Sequence, residues 1–159
     1  MTGPTPGILL VTPVWNDSTR LAGFGPELAA ALAARPLPLP IHWVIADDGS
    51  GGDEPARLTD LRDAFATVFP AVSVHLAATH RGKGAVVREA WTLAPQAAWL
   101  AFVDADGSVT AHDLIALIAH AVDTGHSVLG VRVRTAQTTV VESPWRGLAH
   151  RGFLAATRI

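Results

Sequence analysis

Short apolar runs alternating with stretches of helical period constrain this chain more than any other feature. The runs are Ile8 to Val14, Ile41 to Ala46, Val72 to Leu76, Trp99 to Val103 and Ser127 to Val133. Trp43-Val44-Ile45-Ala46 is apolar without alternation, the pattern of a strand covered on both faces. The intervening stretches read as helices. An Ala/Leu-rich segment starts at Gly25 or Pro26, with Pro in its first turn, and runs to Ala34 before Arg35-Pro36. From Glu54 to Phe69, residues Leu58, Leu61, Phe65, Val68 and Phe69 share a face, and Pro70 ends the helix. Lys83 to Leu93 opens after Gly82, and Asp113 to Asp123 closes at Gly125. Strand–helix alternation predicts an α/β, Rossmann-like fold: a mainly parallel sheet with helices on both faces and right-handed crossovers. At 159 residues the chain suits one domain spanning 1–159, and Pro36 to Pro40 is too short to divide it.

The same residues exclude several classes. With no cysteine there are no disulfides and no thiolate metal sites. A net charge of −2 gives no basic footprint for nucleic acid. The seven histidines show no H-E-x-x-H spacing, and there is no G-x-S-x-G elbow, so a zinc hydrolase and a serine triad are both unsupported. No apolar run approaches the roughly 20 residues of a membrane span, and Met1 to Gly7 lacks the charge and apolar core of a signal peptide. The expected location is cytoplasmic.

In parallel sheets, ligands sit beyond the carboxyl ends of the strands. Here four strand ends carry polar, acidic or Gly-rich sequence: Thr12-Pro13-Val14-Trp15-Asn16, Asp47-Asp48-Gly49-Ser50, His80-Arg81-Gly82-Lys83-Gly84 and Asp104-Ala105-Asp106-Gly107. Each alone is a plausible turn; their convergence points to a site. Two carboxylates at i and i+2 after a buried strand repel one another unless a cation lies between them. A hard divalent ion, Mg²⁺ or Mn²⁺, prefers such oxygens and links them to a substrate's phosphates. Asp106, farther from the strand, is the better metal ligand; Asp104 is placed to meet a ribose or the metal. Asp48 can accept a hydrogen bond from the ring N–H of a base, with Asp47 serving structure. Arg81 and Lys83 offer positive charge beside two glycines, although the loop is not a P-loop.

In this order and spacing the four motifs resemble the inverting glycosyltransferases of family two, with the nucleotide-diphospho-sugar-binding fold called GT-A. Arg81-Gly82-Lys83-Gly84 with Asp104-Ala105-Asp106-Gly107 looks most like the polyprenyl-phosphate branch, the dolichyl-phosphate glucosyl- and mannosyltransferases. That branch has Gly-Ser-Arg after the next strand, where this chain has Gly130-Val131-Arg132.

The resemblance implies transfer of a sugar from a UDP- or GDP-sugar to a polyprenyl phosphate, or to a saccharide acceptor. A non-catalytic nucleotide-sugar-binding module is the other alternative. Pro13 and Asn16 would line the nucleotide pocket, Asp48 would read the base, and Arg81 and Lys83 would lie near base or diphosphate. Asp104 and Asp106 would hold the metal, and Arg132 and Arg146 would contact the donor diphosphate or the acceptor phosphate. Such domains are usually longer, so the resemblance also implies that the acceptor-side part, with any general base, is missing after Ile159. Trp145, Leu148, Ala149, Gly152, Phe153 and Ala156 fall at helical spacing with basic residues off the stripe. Residues 145–159 therefore suit either packing on that missing part or peripheral contact with the inner face of an anionic membrane.

Overall fold

The computed structural model describes residues 7–34 and 37–130. Eight elements alternate: β1 (Ile8–Val14), α1 (Ser18–Ala34), β2 (Ile41–Asp47), α2 (Glu54–Ala66), β3 (Val72–Leu76), α3 (Lys83–Trp91), β4 (Trp99–Phe102) and α4 (Ala111–Thr124). All of them belong to one compact unit, which ends at Val128. The four strands are parallel in the order β3-β2-β1-β4. Strands this apolar call for cover on both sides, and the central strands β1 and β2 have it, whereas Leu76 of β3 and Leu100 and Phe102 of β4 are about half exposed. Ile8, Leu10, Val14, Trp43 and Ile45 pack with side chains of α1, α2 and α4, while Leu9, Val11, Val44 and Ala46 pack with Val86, Val87 and Ala90 of α3. The α/β architecture expected from the alternation is the one observed.

The largest departure is α1, which begins two turns earlier than the sequence predicts. Gly23, Gly25 and Pro26 disfavour a helix there, yet Leu21, Phe24, Leu28 and Leu32 are buried along one stripe of it. Pro26 stands inside the helix. Gly25 is required by packing: a Cβ on it would lie 2.2 Å from Cζ of Phe65 on α2. The backbone N–H of Ser18 donates to the Glu54 carboxylate at 3.2 Å, placing negative charge at the start of α1, where the helix dipole favours it. Burial and capping together outweigh about 1 kcal/mol of propensity cost per glycine.

Helix α4 has reciprocal caps. Thr110 Oγ1 accepts from the Asp113 N–H at 3.1 Å and donates to the Asp113 carboxylate at 2.9 Å, and Gly125 closes the helix in the left-handed conformation. Beyond it, Ser127–Gly130 form no strand, against the expected fifth run. The sheet gives those four residues no ladder partner, and a strand without one leaves its backbone unpaired. Residues 131–133 of that run, Arg132, Arg146 and the helical pattern over 145–159 lie outside the described residues. No described helix is long and apolar enough to cross a membrane.

One half-buried group, His42, gives stability a pH-dependent contribution. The His42 ring, on β2, hydrogen-bonds Ser73 Oγ on β3 at 2.8 Å, and burial lowers its pKa from 6.5. Below pH 6.5 the unfolded chain takes up this proton before the folded chain does. The contribution is therefore complete above 6.5 and falls as pH drops toward the folded pKa, by at most about 1.4 kcal/mol per pH unit. Urea melts at pH 7.5 and 5.5 should show a smaller loss on acidification for His42→Gln than for the wild type; an equal loss would assign the pH dependence elsewhere.

Candidate functional site

Strand β1 lies between β2 and β4, so the chain winds outward from it in both directions, and the carboxyl ends of β1 and β4 flank a topological switch point. An open cleft of about 180 Å³ lies there. Its walls are Pro13, Val14 and Trp15 from the end of β1, Asp48 after β2, His80, Lys83 and Val86 from the β3–α3 turn and α3, and Asp104 beyond β4.

The loops forming these walls are tied to one another. Asp47 Oδ2 accepts from the Ser50 N–H at 3.1 Å. Asn16, the one described non-glycine residue at positive φ (49°), donates its N–H to Ser50 Oγ at 2.7 Å, and its side-chain oxygen accepts from the Gly51 N–H at 3.1 Å. Gly49 is needed because a Cβ there would stand 2.4 Å from the backbone carbon of Thr79. The turn after β2 thus lies directly against the turn after β3.

Asp48 fastens that contact. It is 2% exposed. Its Oδ1 accepts from the Arg81 N–H at 2.9 Å and its Oδ2 from the Gly82 N–H at 2.7 Å. His80 Nδ1 is also 2.8 Å from Oδ2. The His80 ring stacks on the half-exposed indole of Trp15, with centroids 4.0 Å apart and planes inclined by 19°. One carboxylate therefore sets both the path of the 80–82 turn and the aromatic pair on the cleft wall.

Lys83, the first residue of α3, is ion-paired with Asp104 across the cleft and has its ammonium 5.1 Å from the centroid of Phe102. Asp106 Oδ1 accepts from the Ser108 N–H at 2.9 Å and from the Ser108 hydroxyl. The guanidinium of Arg81 is ion-paired with Glu89 on α3, whose other carboxylate oxygen lies 2.9 Å from His75 Nε2.

Of the residues the sequence singles out, the structure brings Pro13, Asp48, Lys83 and Asp104 to one cleft. Asn16, Arg81 and Asp106 are not among its walls and are engaged with Gly51, Glu89 and Ser108 respectively. Trp15 and His80 line the cleft without having been singled out individually. An exposed aromatic directly after a strand was the available signal for Trp15. The signal for His80 was weaker, a histidine before the glycine turn. No three His, Asp or Glu side chains form a ready-made metal cage among the described residues. The donor chemistry present, the carboxylates of Asp104 and Asp106, suits a hard divalent ion that draws most of its ligands from phosphate and water.

Among solved structures, residues 1–349 of TarS from S. aureus superpose with a TM-score of 0.55 at 17% identity, over 86% of this chain and 38% of that one. The mannosyltransferase PcManGT from Pyrobaculum calidifontis, solved with GDP-Man and Mn²⁺, gives a TM-score of 0.48 at 16% identity, over 64% of this chain and 28% of that one. This chain thus spans well under half the length of either. No curated protein sequence matches it. The fold is that of the GT-A glycosyltransferases. Residues 10–157 match the sequence pattern of glycosyl transferase family 2, and the chain belongs to that family.

Proposed function

We propose that the cleft binds the nucleoside diphosphate of a UDP- or GDP-sugar, with Mg²⁺ or Mn²⁺ held by Asp104 and Asp106, and that this chain forms the donor-binding part of an inverting glycosyltransferase. The observation that carries this reading is the cleft itself. At a switch point it assembles an aromatic wall for a base (Trp15 on His80), a cation for phosphate (Lys83) and a carboxylate for ribose or metal (Asp104). Breaking a sugar–phosphate bond builds negative charge on the departing diphosphate. An ammonium within reach of the diphosphate stabilises that charge where it develops. A divalent ion, when bound, adds Lewis-acid neutralisation of the same oxygens.

The proposed acceptor is a polyprenyl phosphate, supported by the pairing of Arg81-Gly82-Lys83-Gly84 with Asp104-Ala105-Asp106-Gly107. A phosphate is already anionic and nucleophilic at neutral pH, so it needs alignment more than deprotonation. Arg132 and Arg146 are proposed to contact the donor diphosphate or the acceptor phosphate.

A thermal-shift panel of UDP, GDP, CDP and their sugars, with and without Mn²⁺, tests the reading. At least one nucleoside diphosphate should raise Tm in a metal-dependent way, worth about 2.7 kcal/mol at a hundredfold excess over Kd. Asp106→Ala should weaken that binding at least about tenfold, the effect of losing about 1.4 kcal/mol or more of charge-assisted ligation, and should remove its metal dependence. Absence of any nucleotide shift would refute the proposal.

A further inference from the structure

The most unusual placement in the cleft is Lys83. A lysine in the first turn of a helix faces the positive end of the dipole and is disfavoured there. Here the ammonium reaches away from the helix to the Asp104 carboxylate and the Phe102 ring. Both members of the pair are about half exposed, with side-chain exposures of 51% and 48%. Ion pairs with that much water around them are weakly held. This one therefore cancels the charge of the cleft's principal acid while remaining easy to break.

Resting on the function proposed above, we propose that Lys83 is a stand-in cation. In the nucleotide-free cleft it occupies the carboxylate that the divalent ion needs, and on donor binding it is transferred from Asp104 to the diphosphate. Three observations carry this. Lys83 and Asp104 line the same cleft. Their contact is direct. Phe102 supports the ammonium from the side, so that the lysine keeps one favourable contact when it leaves the carboxylate. No covalent step is involved; one cation replaces another on Asp104 while an anion takes up the lysine.

The consequence is a defined binding order. Free metal must compete with a tethered positive charge already on Asp104, so it binds poorly by itself. A metal that arrives with a diphosphate brings the anion that accepts Lys83, and the competition disappears. Metal and nucleotide are thereby coupled through this chain as well as through their own contact, and such coupling is reciprocal. A cleft loaded with metal but lacking donor is avoided.

The test is titration of the full chain with Mn²⁺ alone, followed by electron paramagnetic resonance of the free ion, then with Mn²⁺ plus GDP or UDP. Lys83→Met should raise the affinity for Mn²⁺ alone by about threefold to tenfold. The same variant should lower the affinity for the Mn²⁺–nucleotide by about tenfold. Lys83→Arg, which keeps the charge, should retain weak binding of free metal. Opposite signs are the signature, because a lysine that merely supports the fold would lower both affinities. An unchanged or reduced affinity for free Mn²⁺ in Lys83→Met, with wild-type Mn²⁺–nucleotide binding intact, overturns the stand-in role and leaves the proposed function standing. A rise for free metal with no loss for the nucleotide complex overturns the transfer to diphosphate. A wild type that binds no Mn²⁺–nucleotide overturns both this inference and the function on which it rests.

Discussion

Asp48→Ala should cost roughly 3 kcal/mol of folding stability and abolish nucleotide binding irrespective of the base. The estimate follows from what the carboxylate holds. It accepts two backbone N–H groups at 2.9 and 2.7 Å and faces His80 at 2.8 Å, at a position 2% exposed. Hydrogen bonds to a charged acceptor contribute about 1.5–3 kcal/mol each, and a buried donor stranded without a partner costs about 1–3 kcal/mol, though such terms do not add fully. With the anchor gone, the 80–82 turn loses its register against the 48–50 turn. Lys83 and the Trp15–His80 stack lose their positions with it. Calorimetry with UDP, GDP and CDP, beside urea melts, decides the matter. Equal loss for all three with lowered stability marks a loop anchor. Preserved stability with loss for one base alone would give Asp48 the base-reading role that the family resemblance implies.

Trp43→Ala should destabilise the protein by about 4 kcal/mol, within the range for truncating a large buried aromatic. Trp43 is fully buried in the middle of β2, stacks on Phe65 with centroids 5.3 Å apart, and donates its indole N–H to the Thr12 hydroxyl at 2.9 Å. Trp43→Phe keeps most of the ring volume and removes that hydrogen bond. It should cost about 1–2 kcal/mol, including the Thr12 hydroxyl left unpartnered in the core. Urea melts of the two variants separate packing from hydrogen bonding. Similar losses for both would mean that the indole N–H, not the ring, dominates.

The sequence made the sheet legible because its strands are apolar at nearly every position, and such runs have few other destinations. It obscured the first turns of α1 because the reason for Gly25 is Phe65, forty residues later in the chain. Local propensity contains no trace of that contact. The same holds at the cleft. The spacing of the motifs foretells which turns meet at the strand ends, and Pro13, Asp48, Lys83 and Asp104 do meet there. It does not foretell that Asp48 is engaged by the 81–82 backbone, or that Arg81 is turned onto Glu89. Those are long-range pairings, and a carboxylate in a turn looks the same whether it faces a ligand or a neighbouring loop.

The separation of the two sheet faces bears on how this sequence can drift. Ile8 and Leu10 of β1 belong to one cluster, Leu9 and Val11 to the other, and the strand between them keeps the clusters from touching. Bulk lost at Val11 can be restored from Val44 or Val86, but nothing gained at Leu10 or Phe65 reaches it. A strand slipped by one residue exchanges the two sets entirely. Compensating change in the core is thus confined to two independent ledgers of volume, one per face.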